Sequence, residues 1–142
     1  MKNFNKLLTL LFLFFTIFVQ SQVGTVIKII DADSYYIRLE KQKQTFKVRL
    51  ARVDCPEWNT EQGRIAKQYV TEKLLYRKVK ITARGYDKYG RLLLDIYLDG
   101  KWFQADLIDK GLARHYKYYD SNEILAAKEF KAKQQKIGIW EN

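Results

Sequence analysis

The chain of 142 residues contains one cysteine, one proline, one histidine and one methionine. With Cys55 as the sole cysteine, no intramolecular disulfide can form, so the core must hold the fold. A thiol enzyme would need Cys55 and the sole histidine, His115, to meet in space, and nothing in their spacing demands it. There is no internal repeat and no low-complexity linker, so no second domain is expected; the length suits one domain with one core. Acids are scarce beside bases: 16 Asp and Glu stand against 26 Lys and Arg, a formal charge of +10. That excess attracts polyanions, either nucleic acid or an anionic surface, although a merely soluble basic protein would carry it too. Hydrophobic residues at 47% and aromatics at 15% exclude disorder as the default state.

Only one long apolar run exists, Leu7 to Val19. It follows Lys2 and Lys6 and ends at Gln20-Ser21-Gln22. A basic start, an apolar middle and a polar exit with a small residue read as a secretory signal peptide over residues 1–21, with the domain spanning 22–142. The run is short for a membrane span, which needs ~20 residues, although a retained anchor is the alternative. No cysteine lies near the exit, which argues against a lipid anchor. Cleavage near Ser21 removes two lysines and no acid, lowering the formal charge from +10 to +8. A secreted or periplasmic, cell-envelope location is therefore expected.

Beyond Ser21 the chain reads as strands first. Val23–Ile30 is β-branched and apolar; Asp31-Ala32-Asp33-Ser34 interrupts it, and Tyr35–Leu39 resumes. Thr45–Leu50 alternates with period two, Phe46, Val48 and Leu50 pointing one way. From Gln62 to Leu75 the period changes: Ala66, Val70 and Leu74 recur every four residues, the mark of an amphipathic helix. Val79–Ala83 and Leu92–Leu98 are two further strands, the second closed by Asp99-Gly100. Trp102–Lys110 reads as a short helix with Gly111 as its C-cap. Asp120 and Glu123 form a capping-box pattern opening a last helix to about Lys136, with Ala126, Ala127 and Phe130 as its inner face. Trp140 reads as a core plug. Five short strands with about three helices predict an α+β fold, a five-stranded Greek-key barrel of the OB architecture, which commonly binds oligonucleotides.

Charge concentrates where strands stop. In Val48–Glu57, Pro56 has no N–H for a ladder and biases Cys55 away from the helical region. Asp54 and Glu57 thus sit on a rigid corner, with Arg49 five residues before Asp54. Two carboxylates and a guanidinium so held can bind a cation, activate a water and hold a phosphate. On this stretch alone, a surface salt-bridge cluster is the favoured reading. Asp31-Ala32-Asp33 and Asp87-Lys88-Tyr89-Gly90-Arg91 are two further charged corners.

In this order and spacing, the three segments closely resemble the staphylococcal nuclease (thermonuclease) family. The resemblance runs from Val23 to Trp140 and includes Asp99-Gly100, Gly111-Leu112-Ala113 and Gly138-Ile139-Trp140. It implies that Asp33 and Asp54 bind Ca²⁺ and that Cys55 supplies a backbone carbonyl. It implies Glu57 as the general base and Arg49 and Arg91 as the holders of the scissile phosphate. Lys88 and Tyr89 would line the substrate site, and Tyr119, ranked ahead of Tyr116 and Tyr118, would lie near a base. The implied reaction is Ca²⁺-dependent hydrolysis of DNA and RNA, unpaired strands favoured, with 5′-O–P cleavage leaving 3′-phosphates, by a monomer. Three residues depart from the family pattern: Ala32 for glycine, Ser34 for threonine, and Cys55 for threonine or alanine. If the turn at Ala32 needed φ > 0, alanine would be strained by about 1 kcal/mol. A non-catalytic nucleic-acid-binding barrel of the envelope is the alternative, and a binder of another polyanion a third; metal dependence separates them.

Overall fold

The computed structural model describes residues 21–141, so the leader segment expected at 1–21 lies almost wholly outside the described residues. Strands β1 (Gln22–Asp31), β2 (Ser34–Leu39) and β3 (Thr45–Leu50) form an antiparallel meander. Two-residue β4 (Val53–Asp54) turns off β3, and helix α1 (Glu61–Leu74) follows. Next come β5 (Lys78–Tyr86), β6 (Leu92–Leu98), β7 (Lys101–Trp102), α2 (Phe103–Asp109), β8 (Arg114–His115) and α3 (Glu123–Gln134), then a 3₁₀ turn at Gly138–Trp140. β5 pairs with β1 and with β6, and β6 returns in parallel to β3. That last pairing closes five strands into a mixed barrel with three helices, the α+β OB-type fold expected. Among the described residues, no helix is long and apolar enough to cross a membrane.

The period-two pattern explains the interior. Tyr35, Ile37 and Leu39 of β2, Val48 and Leu50 of β3, and Leu94 and Ile96 of β6 fill the barrel, joined by Ala66, Val70 and Leu74 of α1. Thr60 caps α1, its hydroxyl accepting the Gly63 N–H at 3.0 Å.

Several boundaries differ from the sequence reading. β5 runs on to Tyr86, and Trp102 belongs to β7, paired with Tyr97, rather than to the helix after it. The cap of α3 is Asn122, whose side chain accepts the Leu125 N–H at 3.1 Å, not Asp120. Its buried face is Leu125, Glu129 and Ala132, while Phe130 is 64% exposed. The reason is electrostatic. Glu129 turns inward because it accepts the His115 N–H at 3.0 Å and pairs with Lys117 and Lys133, so a carboxylate occupies the core face. Trp140 is half-buried, with the Lys133 Nζ 4.4 Å and the Arg114 guanidinium 5.3 Å from its ring, nearer a plug than an exposed platform.

Candidate active site

The site begins at the hairpin between β1 and β2. Asp31 faces Ser34, so Ala32-Asp33 is the whole turn. Ala32 is not among the described residues with positive φ, so the strain foreseen there does not arise. It is fully buried and its carbonyl accepts the Tyr35 hydroxyl. Ser34 in turn pairs with Arg49 across β2 and β3, which sets Asp33 beside the Arg49 side chain.

Arg49 then ties the corner together. Its Nη2 donates to Asp33 Oδ2 at 3.3 Å and to Asp54 Oδ1 at 2.9 Å. Its Nη1 donates to the carbonyls of Leu50 at 3.1 Å and Val53 at 3.2 Å. Five-donor geometry makes the guanidinium a rigid fork, and here both prongs are engaged. Burial, and then the charge of Asp33, push the Asp54 carboxyl above its ordinary range; Arg49 and Arg114, which faces Asp54 across β4 and β8, pull the other way. Two converging carboxylates in this state fit a hard divalent cation. Among the described residues no three His, Cys, Asp or Glu side chains cluster as a metal cage, so Asp33 and Asp54 would hold Ca²⁺ with oxygens from backbone, water or phosphate.

Cys55 engages through its backbone, its N–H donating to Asp33 Oδ2 at 3.1 Å. Its thiol is buried, and burial, followed by Asp33 and Asp54, drives its pKa well up, which leaves no reactive thiolate. His115 bonds Asp120, Nε2 to Oδ2 at 2.7 Å, so no Cys/His pair forms among the described residues.

Glu57 is exposed, and its carboxylate has no hydrogen-bond partner among the described residues. Its backbone is fixed instead. The Glu57 carbonyl accepts from Thr60 N at 3.0 Å and Thr60 Oγ at 2.7 Å. Gly63, in the first turn of α1, lies so close that a Cβ there would stand 1.8 Å from that carbonyl oxygen. Gly63 is a positioning residue the sequence reading missed. Its signal was a glycine inside a helix, which costs about 1 kcal/mol against alanine and asks for a packing reason.

Arg91 is aimed by another missed residue, Asp87. Asp87 Oδ1 accepts the N–H groups of Tyr89 and Arg91, both at 2.9 Å, and Oδ2 accepts Arg91 Nε at 2.6 Å. Slight burial opposes its charge, but these bonds outweigh it and hold the carboxyl below its ordinary range. The Lys88 Nζ and the Arg91 guanidinium lie 5.1 and 5.4 Å from the centre of the exposed Tyr89 ring.

Arg49 and the Asp87–Arg91 segment border a cleft of about 360 Å³. Arg49, Arg52, Lys88 and Arg91 supply its cations, and Tyr86, Tyr89, Tyr116 and Tyr119 its rings. Tyr118 lies outside the lining and packs edge-on against Tyr119, 4.6 Å between ring centres. Arg49 therefore faces the carboxylate corner on one side and the cleft on the other; Asp33, Asp54 and Glu57 are not part of the cleft wall. Arg52, in the corner between β3 and β4, has φ 71°, a left-handed backbone that costs a non-glycine residue roughly 1–2 kcal/mol. Its Nε donates to Asp95 at 3.2 Å and its Nη1 to Asp120.

Residues 47–142 match the family described as staphylococcal nuclease homologue. The chain is 30% identical over 144 residues to an uncharacterized endonuclease of Haemophilus influenzae, covering 99% of this chain and 80% of that protein. It is 36% identical over 95 residues to the staphylococcal-like nuclease CAN1 of Arabidopsis thaliana, covering 67% of this chain but 29% of that protein. It is 28% identical over 128 residues to a micrococcal nuclease of Shigella flexneri, covering 82% and 72%. The chain thus spans under a third of the plant relative and most of the bacterial ones. With its barrel, its two arginines and its carboxylate corner in place, the chain belongs to the staphylococcal nuclease homologue family.

Proposed function

We propose that this protein is a Ca²⁺-dependent nuclease that hydrolyses phosphodiester bonds of DNA and RNA, preferring unpaired strands. The observation that carries the reading is Arg49, which holds Asp33 and Asp54 together while lining the same cleft as Arg91. A phosphate in the cleft would meet two planar guanidiniums, which suit the charge that grows on its equatorial oxygens in the transition state. Glu57, exposed and free of hydrogen-bond partners among the described residues, would take the proton from the attacking water. Asp33 and Asp54 would hold Ca²⁺, which would supply a Lewis acid for the phosphoryl oxygen. Lys88 and Tyr89 would line the substrate phosphate and base site, and Tyr119 would stack on a base. The family resemblance adds 5′-O–P cleavage with 3′-phosphate products; action as a monomer is part of the reading, and the basic start and apolar run of residues 1–21 add export.

The test is cleavage of heat-denatured DNA and of RNA by the full chain, with Ca²⁺ and with chelator, beside Glu57→Ala. Ca²⁺-dependent cleavage, 3′-phosphate ends and a loss of about 10²–10⁴-fold in the variant are expected. Retention of nucleic acid without cleavage under any divalent metal would overturn the proposal and favour a binding barrel.

A further inference from the structure

We infer that Arg52 is a positioning residue that clasps the tyrosine loop of the cleft to the catalytic corner, so that the loop's aromatic face is pre-set for a nucleobase. The inference rests on the nuclease reading and extends it to a residue with no assigned role. Arg52 reaches both ends of the segment. Its carbonyl accepts the Tyr116 N–H at 2.8 Å, and its guanidinium pairs with Asp120, just past Tyr119. Between those two points lie Tyr116, Tyr118 and Tyr119, exposed to 39%, 83% and 67%.

The clasp is anchored on the barrel. Asp95, 1% exposed, accepts from Arg52 Nε at 3.2 Å, Arg84 Nε at 2.6 Å and Gln104 Nε2 at 3.1 Å. Gln104, fully buried, also donates to the carbonyl of Ala51 at 3.3 Å, fixing the backbone that enters Arg52. On the loop side Asp120 also takes His115 Nε2 at 2.7 Å and the Asn122 N–H at 3.2 Å. The left-handed backbone at Arg52 fits a clasp. Glycine would hold that conformation without strain, but it could not bridge two carboxylates. Arg52 thus places a bridging side chain at a backbone position better suited to glycine. It also lies three residues from Arg49 and two from Asp54, so the base platform and the phosphate site share one rigid corner.

The experiment uses the full chain with Arg52→Gly, Asp120→Asn and both together, assayed on single-stranded DNA and followed by amide exchange over residues 116–119. Glycine keeps the backbone and Asn keeps the size, so folding should survive; unchanged exchange in the barrel strands verifies it. Expected is a KM about tenfold higher in each single variant with kcat within about twofold, because stacking is lost while chemistry is kept. The double variant should be no worse than the poorer single, because both remove one clasp. Faster exchange at 116–119 is expected in all three. Unchanged exchange at 116–119, or additive KM effects in the double variant, would overturn the clasp while leaving the nuclease reading intact. Conversely, a wild-type chain that never cleaves would sink the nuclease reading, and the exchange result would still decide the clasp.

Discussion

At the scale of single residues, the corner is organised for chemistry at some expense to stability. Asp33 and Asp54 converge on one guanidinium, and Asp54 carries a carboxyl whose pKa is raised, by burial first and by Asp33 second. A carboxyl with a folded pKa above its unfolded value opposes folding once the pH exceeds that value, because the folded state disfavours the charge. Asp54→Asn removes that opposition and also removes a cation ligand. At neutral pH we expect the variant to melt no lower than the parent, and slightly higher where the relieved desolvation exceeds the lost Arg49 bond. The same variant should lose at least about 100-fold in Ca²⁺-dependent cleavage. Thermal melts beside activity assays decide it; a variant both less stable and inactive would show that Asp54 is chiefly a structural partner of Arg49.

At the scale of elements, what the sequence revealed and what it hid reflect the range of the forces involved. Period two in Thr45–Leu50 and period four at Ala66, Val70 and Leu74 report local burial, and the barrel strands and α1 formed where those patterns lie. The Asp33, Arg49 and Asp54 corner was legible through the family resemblance, because two acids and an arginine stood at the spacing the family shows. The inner face of α3 was not, because Glu129 is buried by partners far away in sequence, His115 and Lys117, which no helical period encodes. The roles of Gly63 and Asp87 were hidden for another reason: their partners are near in sequence, Glu57 for Gly63 and Tyr89 and Arg91 for Asp87, but the contacts depend on how the turns fold, which residue type alone does not report. Gly63 tests the element directly. Adding a methyl there would place carbon 1.8 Å from the Glu57 carbonyl oxygen, and neither the helix nor that backbone can yield cheaply. Gly63→Ala should cost about 2–3 kcal/mol, near 10 °C in Tm, and should lower kcat through a displaced Glu57. A melt within a degree or so of the parent would mean that α1 shifts freely and does not set Glu57.

At the scale of the whole molecule, carboxylates tie α3 and the loop before it to β8 and the barrel corner in an otherwise basic protein. Asp120 and Glu129 are the two principal ones, one at the loop before α3 and one inside it. Burial works against both charges. It is outweighed at Asp120 by His115, the Asn122 N–H and Arg52, and at Glu129 by Lys117, the His115 N–H and Lys133. Both therefore titrate below their ordinary values of 3.8 and 4.5. A depressed carboxyl contributes stability that is complete above its unfolded pKa and is lost as pH falls through the folded value. Stability should consequently hold at neutral pH and begin to fall near pH 4.5, continuing below 3.8 as both groups protonate. The chain, already at +10, gains charge over the same interval, so self-repulsion steepens the loss. Glu129→Gln separates the two effects, because it removes the buried carboxyl yet adds only one unit of charge. Urea unfolding from pH 7 down to 3 should show the parent losing stability toward acid, and the variant starting lower with a shallower slope. Added salt should soften the repulsive part in both; the Glu129 carboxylate is buried, so most of the difference between the slopes should remain although Lys117 and Lys133 are exposed. Parallel profiles for parent and variant would mean that acid unfolds this protein by repulsion alone, with Glu129 a bystander.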